Sequence, residues 1–331
     1  MTLCLDVLVN ELVMEQTEIV FILAPPRSFT SVTCAMLGQH PQLYGVPELR
    51  LLAAETVEEW TALCRRATYP MASGTLRAVG QLVFGEQTED SVRMARRWLN
   101  RHSHWSTRRL ISFLSDLVFP RILVDKSPNI VYSRRNLQRA YRMFPRAFFI
   151  HLLRHPRGHA KSIIKLTKLI EERRGSPLPP HHWLMKLASF PPLPREESDE
   201  ESVLDPQRAW YQLNINIRRF LQFVPASRQV TIRGEDLLAN PDPVLRHIAK
   251  CIGLDTGGSA IEAMKHPEYS LYAGFGPKGA SRGNDPFFLK NPVLRPGSDK
   301  PESLEGPLSW RRDDRGFSQE VRDLAMHFGY T

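Results

Sequence analysis

The chain has 331 residues, 42% of them hydrophobic and 24% charged, which excludes a disordered or fibrous protein and allows one large α/β domain or two small ones. A formal net charge of +9 favours a polyanionic partner: a nucleic acid, an anionic membrane surface or a phosphate-rich small molecule. The four cysteines, Cys4, Cys34, Cys64 and Cys251, form no CxxC pair and no zinc spacing, which argues against a disulfide scaffold or zinc finger and suits a reducing compartment.

Asp6, Glu11, Glu15 and Glu18 interrupt the N-terminal region, so neither a signal peptide nor a membrane span is expected, and the protein reads as cytoplasmic. Residues 18–24, EIVFILA, form an apolar run rich in β-branched residues, the pattern of a buried strand. The loop PPRSFTS follows, and then SVTCAMLGQH reads as a helix closed by Pro41. Three further runs look like strands: RILVD (121–125), FFIHLL (148–153) and QVTIR (229–233). Helical patterns lie between them, including residues 91–102, 105–118, 129–144 and 206–224. PVLRHIAKC (243–251) is amphipathic and ends near Gly253, a suitable C′ residue. Cys34 and Cys251 sit in such apolar helical patterns and are expected to be buried thiols.

Strands separated by helices imply right-handed crossovers, hence an α/β fold with three layers, α/β/α, around a central parallel sheet. A single domain over residues 1–331 is expected, with its core at about 18–290. Residues 171–206 hold seven prolines and the acidic run REESDEES, and read as a surface loop, a lid or a disordered segment. Residues 274–310 are rich in Gly and Pro and read as irregular.

Two motifs carry chemistry. The first is Pro26 to Ser31 between the first strand and its helix, where unpaired backbone N–H groups and the helix dipole favour a phosphate. Arg27 adds a charge, and Ser28, Thr30 and Ser31 add hydroxyls. By itself the segment equally describes a helix capped by Ser28 or Thr30 with no ligand. It is not a Walker A loop, since GxxxxGK[ST] does not occur. The second motif is Arg154-His155-Pro156 at the end of the third strand run, with Ser162 about two turns into the next helix. Ligands of open parallel sheets bind beyond the carboxyl ends of the strands, where Arg154 lies. Alone, Arg154 more often describes an arginine paired with a surface carboxylate.

Together, in this order and spacing, the two motifs resemble those of the sulfotransferase family, over roughly residues 18–290. The resemblance implies a P-loop-like phosphosulfate-binding loop and transfer of a sulfuryl group from 3′-phosphoadenosine 5′-phosphosulfate to a hydroxyl or amine, leaving 3′-phosphoadenosine 5′-phosphate. It assigns Arg27, Ser28, Phe29, Thr30 and Ser31 to the 5′ end of the donor, and Arg154 and Ser162 to its 3′-phosphate. The stretch from Lys278 to Phe287 is similar to the family's C-terminal donor loop, with Lys278, Arg282 and Gly283 as contacts. Residues 232–254 are similar to the family's YEDLxxxP stretch. GVPELRLL (45–52) and DKSP (125–128) look most like bacterial enzymes with PPRSxS and PEL motifs. These include domains that sulfonate hydroxyacyl chains on carrier proteins, which implies a place in secondary metabolism and an acceptor that is free or bound to an acyl carrier protein. The family usually has Gly where this chain has Phe29, which is expected to take an ordinary backbone conformation with its ring packed away from the phosphate.

In-line transfer needs a base for the acceptor proton, a cation at the leaving oxygen, and alignment. Glu48 is the first candidate base; its apolar neighbours Pro47 and Leu49 are expected to raise its pKa, although pairing with Arg50 is an equal reading. His266, just before the C-terminal loop, is the leading histidine alternative and His104 the next; His40 and His155 read as turn residues and His151 as core. Lys126, after the second strand run, and Arg27 are the candidate cations at the transferring group. No metal ligand set is visible, so a metal-free reaction is expected. Trp105, Trp210 and Tyr211 read as core. The competing readings are a P-loop nucleotide kinase, a family member that binds donor but no longer transfers, and a nucleic-acid binder; the last rests only on YSRRNLQRAYRMFPR (132–146), whose charges fall on a solvent face.

Overall fold

Five parallel strands form one sheet: β1 (Ile19–Leu23), β2 (Leu43–Gly45), β3 (Ile122–Asp125), β4 (Phe148–Leu153) and β5 (Gln229–Arg233), in the order β2-β3-β1-β4-β5. The computed structural model describes residues 17–67, 69–177, 205–295, 302–311 and 313–331. The chain leaves β1 towards β2 and β3 on one side, then crosses to β4 and β5 on the other. The switch point is therefore the carboxyl end of β1, where a crevice opens between diverging connections.

Every residue of β1 is buried, because both faces of the sheet are covered. Val20 and Ile22 point into a layer completed by Leu37, Leu245, Ile248 and Ile252. Ile19, Phe21 and Leu23 point into the opposite layer with Leu110, Leu114, Leu137, Leu213 and Ile217. The period of two along the strand thus feeds two apolar cores, each fully buried side chain contributing about 1.5–3 kcal/mol of transfer free energy. Phe21 stacks on Phe149 of the adjacent strand at 5.8 Å between ring centroids.

The helices are α1 (Thr30–Leu37), α2 (Val57–Arg66), α3 (Ser73–Phe84), α4 (Glu89–Arg101), α5 (Thr107–Asp116), α6 (Arg134–Met143), α7 (Pro156–Arg174), α8 (Pro206–Leu221), α9 (Gly234–Ala239), α10 (Pro241–Ile252), α11 (Gly258–Met264), α12 (Pro286–Lys290) and α13 (Gln319–His327). Local chemistry starts and stops them. Thr56, Ser106 and Ser133 cap α2, α5 and α6 through their hydroxyls, and Thr88 with Ser91 forms a capping box on α4. Gly253 ends α10 at φ 85°, as its place in the sequence predicts.

The four expected strands are all present. β2 is the addition: three residues that reach the sheet edge only because Gly38 and Gly45 let α1 and β2 touch backbone to backbone. The segment expected as a loop from 171 begins later, since α7 runs to Arg174 and α8 starts at Pro206; residues 178–204 lie outside the described residues. The described part of 274–310 is irregular apart from α12. Cys34 is buried as expected, with its thiol pushed up to about 12 by burial. Cys251 is not: it sits on the half-exposed flank of α10, beside His247. Among the described residues no helix is long and apolar enough to cross a membrane.

The contact between α1 and β2 yields a test. A Cβ on Gly45 would lie 2.5 Å from the Cys34 carbonyl oxygen, which is backbone and cannot swing aside. Gly45→Ala should cost about 1–3 kcal/mol in urea unfolding. Gly258→Ala, where nothing lies within 4 Å, should stay within about 0.5 kcal/mol of the parent.

Candidate active site

The loop after β1 is built on left-handed residues that are not glycine: Arg27 at φ 72° and Phe29 at φ 60°, ψ 9°. Between them Ser28 is fully buried, and its Oγ has no partner in the protein. The Phe29 carbonyl accepts from both the backbone N–H and the hydroxyl of Thr33, at 3.0 Å each, which starts α1. The expectation for Phe29 is therefore corrected. It holds the conformation a glycine would take, and its ring lies under the Arg154 guanidinium, 4.3 Å from Cζ to the centroid. Gly234 makes room for the ring; a Cβ there would collide with it.

Arg27 gathers the two sequence motifs and the C-terminal loop. Its Nε donates to Ser162 Oγ at 3.1 Å, its Nη1 pairs with Asp285 Oδ1 at 2.5 Å, and its carbonyl accepts from Arg154 Nη1 at 2.5 Å. Arg154 Nε is buried with no partner. Burial, and then the charge of Arg27, lower the Arg154 guanidinium to about 10. His159, one turn into α7, is also buried, beside the Pro26 backbone; burial and the Arg154 charge bring it down to about 3, so it is neutral.

A second convergence joins the carboxyl ends of β1 and β3 to the loop after β2. Lys126 is 1% exposed, and its Nζ donates to Ser31 Oγ at 2.9 Å and to Glu48 Oε1 at 2.8 Å. Ser31 Oγ also accepts from the Asp285 backbone N–H at 2.9 Å. With both lone pairs taken, the Ser31 proton is left to donate elsewhere. The other Glu48 oxygen, Oε2, accepts from Arg50 Nε at 2.9 Å and also pairs with Arg50 Nη2.

Glu48 is held by its backbone. Its N–H donates to the Gly283 carbonyl at 2.8 Å, Thr75 Oγ1 donates to the Leu49 carbonyl at 2.6 Å, and the Arg50 N–H donates to Ser127 Oγ at 2.7 Å. Ser127 Oγ in turn donates to the buried Asp125. Gly283, at φ 104°, packs so closely that a Cβ would lie 2.7 Å from Gly74 Cα. The electrostatics correct one expectation: burial does push the Glu48 carboxyl up, but Arg50 and Lys126 together outweigh it, and the net shift is downward. Glu48 is an ionised carboxylate held between two cations.

These groups open onto one cavity of about 320 Å³. Arg27, Phe29, Thr30, Ser31, Glu48, Arg282 and Gly283 line it. Lys126, Arg154 and Ser162 lie behind that lining, one contact away. Lys278 and His266 are not brought in. Lys278 is exposed on the outer side of its loop, and His266 is engaged by Glu268 at 2.9 Å and stacked on Tyr269. Among the described residues no histidine lines the cavity: His104 is exposed, His40 and His151 are buried in other contacts, and His155 caps α7. Trp210 packs in the interior, as read from the sequence, whereas Trp105 is half-buried at the edge of the core. A larger groove, about 720 Å³, runs along β5 and contains none of the expected residues. No three of His, Cys, Asp and Glu gather as a metal-holding group among the described residues.

Sequence reasoning missed the far wall: Tyr69, Met71, Tyr132, Leu166, Leu169 and Ile170. The last three recur at helical spacing on α7, a signal that reads as core until tertiary structure shows what they face. Asp285 stood inside a recognised motif without a role of its own, while the expected alternative of Glu48 pairing with Arg50 is what the structure shows.

Asp125 supplies a pH test. Burial raises its carboxyl from 3.8 to about 6, and the Ser127 and Leu49 hydrogen bonds do not offset this. A raised carboxyl stabilises the fold below its unfolded pKa, and that contribution is lost as pH rises through about 6. Asp125→Asn keeps an acceptor for Ser127 and cannot ionise. Between pH 5 and pH 8 it should gain on the parent by roughly 1–3 kcal/mol in chemical denaturation.

A parallel α/β sheet whose first turn, third strand and C-terminal loop bring arginines, a buried lysine and a carboxylate to one cavity is the framework of a group-transfer enzyme. Residues 19–257 match the model of the sulfotransferase family, and the chain belongs to that family. That match supports the transferase reading over the kinase one. Two solved structures are similar over nearly the whole chain. The sulfotransferase domain from the Synechococcus PCC 7002 olefin synthase is 25% identical, with 95% of this chain and 94% of that one covered and a TM-score of 0.68. The sulfotransferase domain from the curacin biosynthetic pathway is 21% identical, with 95% and 98% covered and a TM-score of 0.64. No curated protein matches the sequence.

Proposed function

We propose that this enzyme transfers a sulfuryl group from 3′-phosphoadenosine 5′-phosphosulfate to a hydroxyl on a largely apolar acceptor, free or tethered to an acyl carrier protein. The observation that carries the reading is the cavity itself: a cationic, hydroxyl-rich wall on one side, Glu48 at the junction, and an apolar wall on the other.

The buried Ser28 hydroxyl and Arg154 Nε have no protein partner, and a polyanionic ligand would satisfy both. In this scheme the loop from Arg27 to Ser31 holds the 5′-phosphosulfate end, Arg154 and Ser162 hold the 3′-phosphate, and Arg282 and Gly283 contribute the C-terminal side. The acceptor oxygen forms a bond to sulfur as the sulfur's bond to the bridging oxygen breaks. The electron pair leaves with the phosphate, where Lys126 and the Ser31 hydroxyl oppose the growing charge. Glu48, already ionised, takes the acceptor's proton. Its low pKa makes it a weak base, so the transfer is driven late, when the acceptor oxygen is most acidic. No metal has a step.

The apolar wall supports a hydrocarbon-bearing acceptor over a saccharide, whose many hydroxyls would be desolvated against Met71, Leu166 and Ile170. Arg174 and Arg282 line the same cavity and suit an acidic carrier. The similar domains of an olefin synthase and of the curacin pathway support an acceptor that is a biosynthetic chain.

The first test is thermal stabilisation. 3′-Phosphoadenosine 5′-phosphate at 100 times its Kd should add about 2.7 kcal/mol, with ATP and 5′-AMP clearly weaker at equal concentration. Equal stabilisation by ATP would reject the donor assignment. The second is Glu48→Gln, assayed in EDTA, where the wild-type rate should be unchanged. The variant should lose about 10²-fold or more in kcat and keep its affinity for the bisphosphate within about twofold. Near-parental turnover would remove Glu48 as the base.

A further inference from the structure

Phe29 pays a steric cost to sit at φ 60°, since a left-handed backbone brings Cβ too close to a carbonyl oxygen. What its side chain does there is specific. One face of the ring lies against the Arg154 guanidinium, with Cζ 4.3 Å from the centroid, and an edge fills the space left by the missing side chain of Gly234. On its other side Arg154 meets the first turn of α7, where a Cβ on Gly158 would lie 3.4 Å from Nε. Arg154 Nη1 is taken by the Arg27 carbonyl, while Nε is buried without a partner.

Arg154 has no carboxylate within ion-pair distance among the described residues, in contrast to Arg27, which pairs with Asp285, and Arg50, which pairs with Glu48. The distinction is chemical. A carboxylate would orient the guanidinium by occupying its edge donors and cancelling its charge. An aromatic face orients it through the π cloud and leaves both the edge and the net charge for another anion.

We propose that Phe29 is a positioning residue for donor selection: its ring fixes the plane of Arg154 so that the unneutralised edge meets the donor's second anionic group, and Gly234 is the cradle that admits the ring. This rests on the donor assignment made under Proposed function.

The test is calorimetric binding of 3′-phosphoadenosine 5′-phosphate and of 5′-AMP to the full chain, its Phe29→Leu, Phe29→Met and Phe29→Tyr variants, and Gly234→Ala. The ratio of the two dissociation constants isolates the 3′-phosphate. Phe29→Leu and Phe29→Met should each lower the bisphosphate preference at least fivefold, any loss of 5′-AMP affinity being smaller than the loss for the bisphosphate. Fivefold corresponds to about 1 kcal/mol, within the range for such a contact. Phe29→Tyr should keep the preference within twofold of the parent, and Gly234→Ala, by displacing the ring, should lower it as Phe29→Leu does. An unchanged ratio in the folded aliphatic variants would overturn the proposal, as would an equal loss for both ligands, which marks a structural role only. A parent enzyme with no bisphosphate preference would overturn the donor assignment, and this inference with it.

Discussion

A single ammonium group, that of Lys126, ties the site together. It lies at the carboxyl end of β3, almost wholly out of water, and reaches a hydroxyl from the start of α1 and a carboxylate from the loop after β2. A buried charge of this kind is tolerable only if its donors are satisfied, so Ser31 and Glu48 must stay where Lys126 holds them. Desolvation makes the pair a poor source of stability, but breaking it would leave an uncompensated charge at a cost of about 3–5 kcal/mol. The cost of disorder, more than the gain of pairing, fixes the geometry. It also decides the state of Glu48, whose two flanking cations outweigh its burial.

Around that contact the backbone does most of the positioning. The C-terminal loop reaches Glu48 through the Gly283 carbonyl and Ser31 through the Asp285 N–H. It is braced from behind by Arg77, which is 2% exposed, donates to Gln87 and to the Arg282 carbonyl, and lies over the Tyr272 ring. Burial without a carboxylate brings this guanidinium down to about 10, which leaves it charged at neutral pH. Gly74 and Gly283 permit the close approach, and replacing either hydrogen by a methyl group would push apart the segments that carry the chemistry. The loop after β1 achieves its bend differently, by holding Arg27 and Phe29 left-handed under the constraints of Ser162, Asp285 and Gly234. Strain of that sort persists only where surrounding contacts over-determine it.

Four strands, the crossover helices between them and the place of the two motifs at strand ends were all legible in the chain, because they follow from apolar periodicity and from short-range turn chemistry. Arg27, Ser31, Glu48 and Gly283, singled out through motif spacing, line one cavity. Lys278 and His266 do not line that cavity, for one reason: proximity along the chain to a loop does not say which side of that loop a side chain takes. Phe29 was misjudged because the rule for non-glycine residues is statistical, and the contacts that overcome it come from residues more than a hundred positions away.

What the amino-acid sequence determined by itself is therefore the layered α/β architecture and the carboxyl-end location of the site, both set by interactions within a few residues. Only the tertiary structure decided the charge on Glu48, the pairing of Arg27 with Asp285, the apolar wall from α7 and the stacking of Phe29 on Arg154. Each of these is a sum over groups far apart in the chain, and burial, which sets the strength of every such term, exists only once the layers have closed.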